Sequence, residues 1–237
     1  DIDLGIQGDD TGENISNLNP NFCELTAFYW MWKNSSADVI GLVHYRRYFI
    51  NQSEFTQSNL TKKHAAYNMA EKVNFEPLDP KMVSTLPKNT VILAQLETFP
   101  INNVSKYSFL NHLFFKRKNL FTVEAQFCSC HHPDDWFFLK QLIAKRSPEY
   151  LHAFNTISKR KSGISPYNMF IMHKTLMDEY AEWLFDILLS FFYQKDICHY
   201  DSYQKRLFGF LAERLLNVFI EKNKKTLQVK YLPVFNK

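Results

Sequence analysis

Hydrophobic positions in this chain repeat with two periods, and the two periods divide it into elements. Leu176, Tyr180, Trp183, Ile187 and Phe191 recur at three- and four-residue steps, and Leu207, Leu211, Leu215 and Phe219 form a second such stripe. The stripes predict amphipathic helices over residues 174–192 and 201–222, each with one apolar face turned to a core. An aromatic-rich segment, 24–33, predicts another helix, which Asn34, Ser35 and Ser36 end. Runs of strand length lie at 38–43, 90–94, 167–172 and 227–234, and predict strands, buried in the first two cases. Prolines mark three more helix starts: Asp79-Pro80, running to Leu86-Pro87; Pro133 with Asp134 and Asp135; and Ser147-Pro148, running to Ser158 with Ser147 as its cap. Residues 50–78 are polar and interrupted, which predicts an insertion or lid with a helix around 64–72, and residues 1–22 are polar and turn-rich. The succession predicts an α/β fold in a single domain over 1–237.

Length and composition sharpen this picture. A chain of 237 residues can bury a full core. Aromatic residues reach 16%, which implies a bulky core and an aromatic-lined cleft. With 6 glycines and neither a GxGxxG nor a GxxxxGK[ST] run, any bound nucleotide is held by other means than those fingerprints. A net charge of +4 is too mild to indicate nucleic acid, yet suits an anionic membrane surface. The four cysteines lack disulfide-framework spacing, no run approaches the roughly 18 apolar residues of a membrane span, and no signal peptide is visible. A cytoplasmic setting with reduced thiols is the expectation.

The candidate chemistry sits mainly after the first strand. There His44, Tyr45, Arg46, Arg47, Tyr48 and Phe49 place two fixed cations and an imidazole among rings. In an open α/β sheet, ligands bind beyond the carboxyl ends of strands, and guanidinium groups suit phosphate. Surface ion pairs with wet tyrosine hydroxyls explain the same residues. Asp9 and Asp10, in the loop Gly8-Asp9-Asp10-Thr11-Gly12, could hold a metal or a sugar hydroxyl, or form a solvated turn. Cys128, Cys130, His131 and His132 lack a second ligand pair at zinc spacing. Two basic runs, Lys116 to Lys118 and Lys159 to Lys161, could sit on a membrane or end surface helices.

Several stretches together resemble a known family. NISNLNPNFCELTAFYWMWKN, GLVHYRRYF, YNMFIMHK, EWLFDIL and YDSYQKRLFGFLAERLLNVFIEKN, in this order, are similar to a bacterial family long labelled only as a domain of unknown function. Its genes lie in capsular and exopolysaccharide loci, and its members are taken to be glycosyltransferases. The likeness runs from about residue 9 to 234. Members usually carry an additional N-terminal strand with a histidine-containing loop, which this chain is expected to lack or to begin after.

A looser likeness to GT-A sugar-nucleotide transferases implies an open mixed sheet flanked by helices, with a helical C-terminal part. Such folds end a central strand in Asp-x-Asp, which holds Mn²⁺ on the diphosphate. Here the place falls on His44, Tyr45 and Arg46, so the resemblance implies that Arg46 and Arg47 neutralise the diphosphate. No metal ligands are assigned, with Mn²⁺ or Mg²⁺ left open. By the same likeness Asn168 touches the donor sugar, and Asp201 and Gln204 lie near the reacting carbon. Asp201 is expected as the general base, and Glu213 is the second candidate. A capping role for Asp201 stays open. Asp9, Asp10 and Asn14 are expected near the base or ribose. The implied reaction moves a hexosyl group, galactose as pyranose or furanose, from a UDP-sugar to a lipid-linked oligosaccharide at the inner membrane face. The alternatives are a catalytically inactive nucleotide- or carbohydrate-binding protein, and a phosphotransferase or nuclease built on the arginine corner.

Overall fold

The computed structural model describes residues 5–50, 60–63, 66–69, 78–99 and 121–236. In chain order, helices α1 (Asn19–Phe22) and α2 (Leu25–Asn34) lead into strands β1 (Val39–Leu42) and β2 (Arg47–Phe49). Strands β3 (Leu60–Lys63) and β4 (Ala66–Met69), helix α3 (Pro80–Ser84) and strand β5 (Thr90–Ala94) follow. Helices α4 (Val123–Cys130), α5 (Pro133–Arg146) and α6 (Leu151–Ser158) precede strand β6 (Phe170–His173). Helices α7 (Lys174–Gln194) and α8 (Leu207–Asn223) and strands β7 (Gln228–Leu232) and β8 (Val234–Asn236) complete the chain.

The main sheet has the order β1-β6-β5-β7. Strand β6 runs antiparallel to both β1 and β5, and β5 pairs parallel with β7, from Thr90 opposite Gln228 to Ala94 opposite Leu232. One face of this sheet, with Ile40, Leu42, Val91, Leu93, Phe170 and Met172, packs into the large core shared with the long helices. The other, with Ile92, Ala94, Met169 and Ile171, packs on Phe49, Leu86 and Val234. All of β5 is therefore buried, as its unbroken TVILA run predicts. A second sheet, β2-β8-β4-β3, is also mixed. The architecture is the open mixed α/β sheet flanked by helices, with a helical C-terminal part, expected of a GT-A-like fold.

The aromatic residues fill the space between the sheet and the helices. On α2, Phe28 meets Phe170, Tyr180 and Phe185, and Trp32 lies parallel to Phe185 at 5.7 Å. Helix α7 is held at its end by Lys195, which pairs with the fully buried Asp135; the Tyr200 hydroxyl donates to the same carboxylate. Among the described residues no helix is long and apolar enough to cross a membrane.

Some predicted boundaries move. Residues 66–69 form a strand rather than part of a helix, paired with β3 and β8; a neighbouring sheet edge outweighs local helical preference. Ser147 makes no side-chain cap; instead its carbonyl accepts from Tyr150 in a 3-10 turn. The run at 227–234 is two strands, because Pro233 lacks a ladder donor and the chain changes sheet there. Lys116 to Lys118 lie outside the described residues.

Candidate functional site

Strand β1 delivers the chain to a tight reversal at its carboxyl end. The Arg47 amide donates to the His44 carbonyl at 3.2 Å, and the two residues form an isolated bridge. Facing this corner is the turn that enters β6. Tyr167 and Asn168 were expected in the strand, but both are left-handed, with φ of 73° and 53°. That conformation costs about 1–2 kcal/mol per non-glycine residue, so surrounding bonds must hold it.

Those bonds gather the polar side chains. The His44 Nε2–H donates to the Tyr167 carbonyl at 2.7 Å, and the Tyr167 amide donates to Glu213 Oε1 at 2.9 Å. Asn168 is 2% exposed, and its Nδ2 donates to Glu24 Oε1 at 2.7 Å and to the Gly209 carbonyl at 3.1 Å. The Arg47 guanidinium stacks 4.2 Å above the Tyr167 ring. Two carboxylates, from α8 and from the residue before α2, are thus clamped by consecutive residues of one turn.

Electrostatics follow from that crowding. Burial raises the pKa of Glu213, with Arg214 opposing the rise and nearby Glu24 adding to it. Arg214 Nη1 donates to Glu213 Oε2 at 2.7 Å, and its Nη2 to Gln126 at 2.7 Å. Burial also raises the Tyr167 phenol, with the Glu97 carboxylate next in effect. Buried Arg47 Nε and Asn168 Oδ1 find no hydrogen-bond partner among the described residues, which marks the corner as polar beyond what the fold requires.

The other sequence candidates make their contacts with groups outside this cluster. Arg46 is exposed and lies 4.8 Å from the ring of exposed Tyr45. Exposed Asp201 caps a 3-10 turn: its Oδ1 accepts from the Gln204 amide at 2.7 Å. Gln204 binds the Cys130 carbonyl at 2.9 Å and His131 Nδ1 at 3.0 Å. Asp9 and Asn14 bond to Ser16 within the N-terminal loop, where Asp10 is exposed. That loop is fastened to the far end of α2, through Trp30 and Asn34.

A divalent ion on a diphosphate, which a GT-A likeness implies, needs oxygen ligands at the end of β1. His44, Arg46 and Arg47 supply none; the carboxylates at the corner are Glu24 and Glu213. Among the described residues, the group able to gather three ligand atoms within 4.8 Å is Asp196, Cys198 and His199, all exposed between α7 and α8. The 128–132 run is not such a group. Burial pushes the Cys128 thiol up to about 11 and His131 down to about 4, so both stay neutral.

The family model described as Domain of unknown function (DUF4422) matches residues 1–224. The chain belongs to the DUF4422 family. Among solved structures, this DUF4422 chain is similar to the apo structure of the WbbM bifunctional glycosyltransferase, at 28% identity and a TM-score of 0.69. The likeness covers 97% of this chain and 39% of that one, so the DUF4422 chain spans well under half of its relative. No curated protein sequence matches it.

Sequence reasoning missed Glu24 and Tyr167 as parts of this site. Glu24 reads as the opening residue of a helix, and its partner Asn168 is 144 positions away. The preceding Cys23, with φ 52°, carried no flag in the sequence either.

Proposed function

We propose that this protein is a glycosyltransferase that moves a hexosyl group from a UDP-sugar to a saccharide hydroxyl. The observation carrying this reading is the corner at the end of β1, where His44 and Arg47 close over a turn that clamps two carboxylates. The GT-A resemblance implies that this corner manages the diphosphate, and the chain is similar over 97% of its length to a bifunctional glycosyltransferase. In this reading Arg47, with Arg46 reaching from the exposed side, neutralises the leaving diphosphate without a metal. Asn168 shapes the donor-sugar pocket, and a carboxylate at the turn takes the proton of the attacking hydroxyl. Asp201 and Gln204 support the α7–α8 connection from outside.

The finer assignment is a galactosyl donor, pyranose or furanose, and a lipid-linked oligosaccharide acceptor in capsule or exopolysaccharide synthesis. Lys159 and Lys161, exposed at the end of α6, suit contact with the inner leaflet. Liposome flotation tests that contact, and protein left unbound by anionic vesicles removes it. For the activity itself, the experiment is thermal stabilisation by UDP, GDP, CMP and dTDP, with Mn²⁺ or with EDTA. Ligand at 100 times its Kd stabilises the folded state by about 2.7 kcal/mol. The expected result is a shift with UDP that EDTA leaves intact; a shift that requires Mn²⁺ refutes the metal-free corner, and no shift refutes the nucleotide site.

A further inference from the structure

Three carboxylates could serve as proton acceptor, and their hydrogen bonds distinguish them. Asp201 is exposed, with Oδ1 committed to the Gln204 amide. Glu213 has both oxygens engaged, Oε1 by the Tyr167 amide and Oε2 by Arg214. Protonating Glu213 would break an ion pair to an arginine that is 4% exposed, and leave that guanidinium without its counter-charge. Glu213 is therefore placed to hold the left-handed turn in shape.

Glu24, like Asp201, has one oxygen engaged, but its bond ties it into the cluster around the turn. It is half-buried; its Oε1 accepts from Asn168 Nδ2, and its Oε2 has no protein partner among the described residues. It stands close enough to Glu213 to push that carboxyl's pKa up, while His44 pulls it down. The strained Cys23 at φ 52° sets its position, and Asn168 fixes one oxygen so that the other is presented.

Resting on the transferase reading above, we infer that Glu24 is the catalytic base, and that Glu213 is the positioning residue that keeps the Tyr167–Asn168 turn closed around it. The free oxygen of Glu24 accepts the proton of the acceptor hydroxyl as the hydroxyl oxygen bonds to the anomeric carbon. The bond from the anomeric carbon to the diphosphate oxygen breaks, and UDP departs with the electron pair, its charge met by Arg47. Each proton and electron pair is accounted for by donor, acceptor and Glu24. Displacement from the face opposite the diphosphate inverts the anomeric centre.

The test uses Glu24→Gln, whose amide oxygen still accepts from Asn168 while the side chain can no longer take a proton. Release of UDP from a panel of UDP-hexoses, with water or a saccharide as acceptor, is measured beside UDP affinity by calorimetry. General-base loss predicts a kcat at least about 100-fold lower, with donor KM and UDP affinity within about threefold of wild type. Glu24→Ala, checked for a native melting transition, should regain turnover on adding formate as a small carboxylate. A variant with kcat within tenfold of wild type overturns the inference, as does a loss confined to KM. Wild-type protein that binds UDP yet turns over no UDP-hexose overturns it too, with the nucleotide site intact. Wild-type protein that does not bind UDP sinks the transferase reading itself, a distinct result.

Discussion

Arg47 and Arg46 are neighbours with different surroundings, and the difference makes the phosphate reading testable at single residues. Arg47 is half-buried, stacked on Tyr167, with its Nε lacking a partner among the described residues. Arg46 is exposed beside Tyr45. A charge-assisted bond to diphosphate contributes about 1.5–3 kcal/mol. Arg47→Ala should therefore weaken UDP binding by roughly 10- to 100-fold in calorimetry, and Arg46→Ala by less, because water screens an exposed charge. Arg47→Lys should not restore affinity, since an ammonium neither stacks on the ring nor forks to two oxygens. Equal losses for the two alanine variants would contradict the inward placement of Arg47. The basic-aromatic corner was legible in the sequence because its residues are neighbours in the chain. Glu24 was not legible, because its meaning comes from Asn168 across the fold.

At the scale of elements, the site depends on how α8 grips the segment entering β6. Asn217, 3% exposed, accepts the Ser165 amide on Oδ1 and donates from Nδ2 to the Ser165 carbonyl, both at 2.9 Å. One turn earlier on the same helix, Glu213 takes the Tyr167 amide. Asn217→Leu leaves a buried amide and carbonyl unpaired, at about 1–3 kcal/mol for each, so the urea midpoint should fall clearly. The segment's other wall is Glu97, whose amide and carbonyl pair with Ile164. Gly163, at φ +86°, lies so close that a Cβ would sit 1.8 Å from the Glu97 carbonyl oxygen. Gly163→Ala is expected to melt at lower temperature and to lose UDP binding with it, because backbone there cannot give way; wild-type melting in that variant would refute the close approach. These features explain what pattern reading could reach. Strand β5 and the long helices follow from apolar runs and stripes that report burial directly. The left-handed residues at 167 and 168 open the segment YNMFIM, whose hydrophobicity carries no information about the sign of φ. Likewise, Asp201 was read as the start of a helix that begins only at Leu207, after a 3-10 turn.

Over the whole molecule, the site is backed by a buried polar layer joining α4, α8 and the α7–α8 connection, and that layer has a pH signature. His131, 9% exposed, lies 4.3 Å from the Phe210 ring and 4.7 Å from Phe127, and bonds to Gln204. Burial lowers its pKa from 6.5 to about 4, and Arg214 and His132 push the same way while the Gln204 bond opposes. Between those values the unfolded chain carries a proton at this position that the folded chain does not. Stability must then fall as pH falls through the window, by an amount on the order of 3 kcal/mol from this group. Glu213 works in the opposite sense, since its raised pKa favours the folded state at low pH and that contribution fades as pH rises past 4.5. His131→Asn keeps a donor for Gln204 but cannot titrate. Urea unfolding at intervals from pH 7 to pH 4.5 should show a shallower decline for His131→Asn than for wild type. Parallel declines would mean that His131 is protonated in the fold and that the layer behind Glu213 is open to water.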